Sequence, residues 1–165
     1  MKNLFEIINV TGADRIAFLQ GQFTQNIELL SSSKVLFGAL CSPKGRVFAT
    51  CQLFATKENI HIILPSQMTD LVIQRLNLYK LRANVFLERN NNTQLYCIHR
   101  QDDQSTIQNN KFLENYFVCH DLKKTNHMEI IIYGENQKSK MKNFDAHLNN
   151  EQWRAARIAN GIVDI

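Results

Sequence analysis

The sequence is poor in the residues that break regular structure, with 2 prolines and 6 glycines in 165 positions. That scarcity excludes a collagen-like or linker-like chain. Long apolar runs are missing too: Ile60 to Leu64 is interrupted by His61 and falls far short of a membrane span. No two of the four cysteines (Cys41, Cys51, Cys97, Cys119) have C-x-x-C spacing. In a chain long enough to form a core, their even number does not imply a disulfide framework. No apolar signal stretch follows the opening Met-Lys-Asn-Leu, so the expected location is the reducing cytoplasm. Phosphate-loop, Rossmann, H-E-x-x-H and G-x-S-x-G signatures are absent. The single Trp and four Tyr form no base-stacking pattern, and the net charge of +4 is mild. Direct nucleic-acid binding is not expected on those grounds.

What is present is an ordinary globular composition, 44% hydrophobic and 21% charged. A chain of this size buries roughly 70% of its unfolded surface and needs no covalent staples. Leu4 to Val10 reads as a strand ended by Thr11-Gly12. Ala13 to Ile27 has helical spacing, with Ile16, Leu19, Phe23 and Ile27 on one face. Strands are expected at Val35–Leu40, Arg46–Thr56 and Asn59–Leu64. A helix follows from Ser66, its candidate N-cap, to Leu81, with Met68, Val72, Leu76 and Tyr79 as its stripe. Further strands are expected at Asn84–Glu88, Gln94–His99, Phe112–Cys119 and Met128–Tyr133. Lys138–Leu148 and Glu151–Asn160 read as helices, the latter closed by Gly161. Gln101 to Lys111 is polar and reads as a junction. Sequential strands with short turns make the class α+β.

Chemistry is sparse. Cys97 and His99, and the run Cys119-His120-Asp121, lack the further partners that a metal or a nucleophile requires, so cysteines in the core and histidines at strand ends are the plainer reading. On the first helix, Phe18, Gly21, Gln22 and Gln25 share a face that offers an aromatic ring and two carboxamides to a flat heteroaromatic ligand. A solvated back face explains them equally. On the last helix, Trp153, Arg154 and Arg157 share a side suited to an anionic, partly aromatic ligand, while Ala155, Ile158 and Ala159 form the other. The alternative is a packing helix whose arginines bind carbonyls or carboxylates of neighbouring elements. Pro43-Lys44-Gly45-Arg46 is a tight turn first, with cations that also suit a phosphate or carboxylate.

Val10-Thr11-Gly12-Ala13-Asp14-Arg15 is followed by Phe18-Leu19-Gln20-Gly21-Gln22, with Thr24 and Asn26 close behind. Then come Ser42-Pro43-Lys44-Gly45-Arg46-Val47 and, at the far end, Trp153-Arg154, Arg157-Ile158 and Gly161-Ile162. In this order, across nearly the whole chain, these segments resemble the YgfZ-type folate-binding proteins, relatives of the glycine-cleavage T protein. The resemblance implies a folate-binding T-protein-like domain with an inserted ferredoxin-like antiparallel-sheet subdomain. Residues 31–108 would be the insert, and 1–30 with 109–165 the discontinuous subdomain around it. It implies tetrahydrofolate as ligand in a central opening, with Phe18, Gln20, Gln22, Arg46, Trp153, Arg154 and Arg157 as contacts. Its implied role is as an accessory protein in iron–sulfur cluster assembly or repair, with iron–sulfur tRNA-modifying enzymes as partners. The family's Lys-Gly-Cys-x-x-Gly-Gln-Glu signature, expected just after the Arg-Ile-x-x-Gly-Ile stretch, does not occur in this sequence. The expectation is therefore an amino-terminal portion whose cysteines do not inherit that signature's role. The T protein's Arg-Thr-Gly-Tyr run is also absent around Glu114 to Glu135. Two other functions remain open: an aminomethyl or one-carbon transferase, for which Asp70 is the best available carboxylate, and a tRNA- or protein-binding module without folate.

Overall fold

A computed structural model describes residues 4–30, 35–91, 93–99, 116–125, 127–133 and 148–162. They form two units that divide between Asn90 and Asn91.

The first unit contains β1 (Phe5–Thr11), α1 (Arg15–Gln20), β2 (Leu36–Cys41), β3 (Val47–Ala55), β4 (Ile60–Pro65), α2 (Thr69–Lys80) and β5 (Phe86–Arg89). The strands lie in the order β2-β3-β4-β1-β5, each antiparallel to its neighbour. The stretch β3-β4-β1-β5 has the split β-α-β order of a ferredoxin-like sheet, and β2 extends it at one edge. Helix α2 presses Val72 and Leu76 into a cluster with Ile8, Leu19, Leu53 and Ile62. Burial of each such side chain contributes about 1.5–3 kcal/mol. β4 is buried along its whole length, so apart from His61 its residues are apolar on both faces rather than alternating.

Gly12 is required where β1 gives way to α1. It has φ +104°, and a Cβ there would meet the Asn84 carbonyl oxygen at 2.2 Å. This close approach ties the β1–α1 junction to the α2–β5 junction. Asp14 N–H donates to the Asn84 carbonyl at 3.2 Å, and Asn84 N–H donates to Asp14 Oδ2 at 2.8 Å.

One expectation changes here. The helix expected over 13–27 stops at Gln20. Beyond it the edge strand captures the chain: Phe23 bridges Leu40, and Thr24 exchanges hydrogen bonds with Ala39. Residues 27–29 then form a 3₁₀ turn capped by Asn26. Leu19, Phe23 and Ile27 are buried as their spacing suggests, but Ile16 is 43% exposed. The expected grouping of residues 1–30 with 109–165 involves segments outside the described residues, but the neighbours of β1 and α1 are on view. β1 lies inside the sheet, with a six-residue ladder to β4 and a second ladder to β5, and Phe18 and Leu19 share the core of Leu53 and Leu76. Backbone pairing therefore joins β1 to β4 and β5 within the first unit.

At the start of β3, Cys41 pairs with Val47 and Leu40 with Ala49, so Phe48 is the extra residue of a bulge. Ser66 caps nothing: it opens a 3₁₀ turn (Ser66–Met68), and no side chain caps α2. Tyr79, expected on the buried stripe, is 44% exposed.

The second unit holds β6 (Thr93–His99), β7 (Tyr116–Leu122) and β8 (His127–Tyr133), antiparallel in the order β6-β8-β7. Its helix α3 (Asn150–Ala159) starts with a reciprocal capping box between Asn149 and Gln152. It ends at Gly161 with φ +76°, as the sequence suggests. The junction at 101–111 lies outside the described residues, as does the helix expected over Lys138–Leu148 apart from Leu148 itself. Among the described residues, no helix is long and apolar enough to cross a membrane. With antiparallel sheets and separate helices, the class is α+β.

Candidate functional site

The seven residues singled out in the sequence have different fates. Phe18 is 9% exposed and belongs to the first unit's core. The Gln20 carboxamide is used locally: its Oε1 accepts from Ile27 N–H at 2.6 Å and secures the turn that replaces the rest of the helix. Gln22 is half-buried, and its side chain has no hydrogen-bond partner among the described residues. Because the helix ends at Gln20, Phe18, Gln22 and Gln25 do not share a helical face. Gln25 instead lies over Gly38, where a Cβ would approach its Cγ to 2.9 Å.

Arg46 stands exposed at the end of the Ser42–Arg46 turn. The turn is closed by Ser42 N–H donating to the Arg46 carbonyl at 2.8 Å and by Gly45 at φ +75°. The Arg46 guanidinium has no carboxylate partner among the described residues.

In the second unit, the face proposed for Trp153, Arg154 and Arg157 separates. Trp153 and Arg157, one helical turn apart, are buried with Ala156, whereas Arg154 is exposed. The opposite face is not the packing one, since Ile158 is 75% exposed. Trp153 and Arg157 converge on Glu129 of β8, which is fully buried. The Trp153 indole N–H donates to Glu129 Oε1 at 2.7 Å, and Arg157 Nη1 donates to both carboxylate oxygens. Arg157 is thus committed to a carboxylate of its own unit. Cys97 of β6 pairs in register with Glu129. Its thiol is pushed up to about 12, mainly by burial and further by the Glu129 carboxylate, with Arg157 opposing. Such a thiol stays protonated and unreactive at neutral pH. Cys51 is likewise pushed up to about 12 by burial.

Sequence reasoning passed over Glu129. The available signal was a lone carboxylate in the run Met128-Glu129-Ile130-Ile131-Ile132, because a charge in a buried strand must find a partner. His61 was also undervalued. It stacks on Phe54 with ring centroids 4.5 Å apart, and burial pushes its imidazole down to about 4. Asn90 Nδ2 lies 3.2 Å from Nδ1, and Thr56 Oγ1 lies 3.4 Å from Nε2. Both nitrogens of a neutral ring are satisfied in this way. Among the described residues, no cluster of His, Cys, Asp and Glu could hold a metal. Asp70 is bound to Arg89 rather than held in a pocket.

No family model matches the chain. A tRNA-modifying protein YgfZ from Hamiltonella defensa subsp. Acyrthosiphon pisum is 29% identical over 107 residues, which cover 65% of this chain and 32% of that protein. One from Yersinia pestis is 32% identical over 82 residues, covering 50% of this chain and 25% of the relative. The chain is related to the YgfZ-type proteins. It spans a third or less of the length of those two YgfZ relatives, and the matches cover less of it than the resemblance implied. In fold it is similar to the glycine cleavage system aminomethyltransferase T from Bartonella henselae. That likeness has a TM-score of 0.62 and 10% identity over 84% of this chain and 42% of that one. The YgfZ-type relationship and the T-protein fold agree with the class expected from the sequence.

Proposed function

We propose that the chain is part of a tetrahydrofolate-binding accessory protein that serves iron–sulfur enzymes of tRNA modification. The observation that carries this reading is its relationship to proteins named as tRNA-modifying YgfZ, joined to a T-protein fold. The side chains left uncommitted suit the ligand's chemistry. The Gln22 carboxamide can both donate to and accept from a pterin edge. The exposed guanidinium of Arg46 suits a carboxylate of the glutamate tail. Phe18 is spent on packing and Gln20 on an internal hydrogen bond, so in this reading they support Gln22 and Arg46 without touching the ligand. When bound, the folate would supply one-carbon carrier chemistry; the residues proposed here bind and orient it.

Calorimetric titration of the chain with tetrahydrofolate tests the proposal. Arg46→Ala should weaken binding by about tenfold or more, since a hydrogen bond to a charged group contributes about 1.5–3 kcal/mol. Absence of binding by the wild type, or wild-type affinity in Arg46→Ala, would overturn it. The transferase alternative rests on fold alone, and Asp70, its best carboxylate, is an exposed partner of Arg89.

A further inference from the structure

We infer that the α2 side of the first unit is a docking surface for an unpaired RNA segment. Three aromatic rings stand there with cations already placed against them. The Arg75 guanidinium lies over both Phe48 and Tyr79, 5.2 Å from each ring centroid, and Lys80 Nζ lies 5.6 Å from the centre of Phe86. Tyr79 is 44% and Phe86 56% exposed. Phe48 joins them through the bulge in β3. By simple alternation it would face away from its neighbour Ala49, which is buried in the core beneath α2. The extra residue instead turns its ring to Arg75, the kind of re-aiming that bulges perform.

The charge along the segment that carries Tyr79 and Phe86 is one-sided. From Leu71 to Leu87 the sequence has three cations (Arg75, Lys80, Arg82) and no carboxylate. Arg82 follows directly on Leu81, where the chain leaves α2 at φ +45°, and it has no carboxylate partner among the described residues. A polyanion of planar bases meets both halves of this surface: the rings stack on exposed base faces, and the cations neutralise phosphates. A duplex hides its base faces and engages only the cations. Exposed Leu78 and Leu81 flank the patch, so an anionic lipid surface is the competing occupant. The aromatic–cation pairs favour RNA, because they place stacking and charge in the same spot.

The inference does not depend on folate binding, and its test uses none of the residues assigned to folate. Fluorescence polarisation of a labelled single-stranded RNA of about twelve nucleotides at about 50 mM salt should show binding that weakens steeply as salt rises. Tyr79→Ala should weaken it about tenfold, while Tyr79→Phe, which keeps the ring, retains it. Arg82→Gln should lower the slope of log affinity against log salt by about one. A blunt RNA duplex of the same length should bind less tightly. No binding at low salt, unchanged affinity in Tyr79→Ala and Arg82→Gln, or equal loss in Tyr79→Phe and Tyr79→Ala would overturn it. Binding to phosphatidylserine vesicles without binding to RNA would assign the surface to lipid instead.

Discussion

The two units fasten helix to sheet by different physics. In the first, α2 presses Val72 and Leu76, both fully buried, onto an apolar sheet. One of its buried titratable side chains, His61, is held neutral, stacked and hydrogen-bonded on both nitrogens. In the second, α3 docks through a buried ion pair, with Arg157 and the Trp153 indole on Glu129. Apolar docking tolerates small changes and loses stability in proportion to the area removed. Ionic docking depends on both partners: the pair can be replaced as a unit, but neither member can be lost alone.

The largest effect expected from that contrast is at Glu129. Glu129→Ala removes the carboxylate that holds the buried Arg157 guanidinium and should cost about 3–5 kcal/mol. Urea unfolding followed by the fluorescence of Trp153, the chain's single tryptophan, measures it. The double variant Glu129→Leu/Arg157→Leu should recover most of that loss. If it does not, the helix is held by something other than the pair.

A pH effect of somewhat smaller size should appear in the first unit. His61 titrates near 4 in the folded chain against 6.5 when unfolded. The unfolded state therefore takes up a proton at a pH where the folded state does not. Stability is full above about 6.5 and falls as the pH drops towards about 4, by about 3 kcal/mol in all. Urea midpoints across that window should fall for the wild type and lose this contribution in His61→Leu. An unchanged slope in that variant would place the proton uptake elsewhere.

The smallest effects separate a cap that exists from one that does not. Gln20→Ala removes the acceptor for Ile27 N–H and should cost about 1 kcal/mol. Ser66→Ala removes no capping bond and should stay within about 0.5 kcal/mol. Thermal melts of the two variants check both; a Ser66→Ala loss as large as that of Gln20→Ala would restore the cap expected from sequence.

The strands of the first sheet are legible because β-branched and apolar runs bounded by turn residues are local signals, and they recur at β2, β3 and β4 within a residue or two. The first helix misleads because the spacing of Leu19, Phe23 and Ile27 fits a helical stripe, yet the same side chains are buried by a chain that has unwound to pair with β2. The site was half legible. The turn carrying Arg46 and the glycine after α3 follow from local backbone rules, whereas the fate of Arg157 depends on a carboxylate 28 residues earlier in the chain.

By itself, the sequence determined the α+β class, the turns at Gly12, Gly45 and Gly161, and the relationship to YgfZ-type proteins, all of which rest on short-range patterns or on order along the chain. Only the tertiary structure decided that β1 lies inside the first sheet, that Arg157 belongs to Glu129, and that Phe48, Arg75 and Tyr79 meet. Each of those contacts joins residues distant in sequence, and their pairing is set by competition for hydrogen bonds, charge and apolar area across the whole fold.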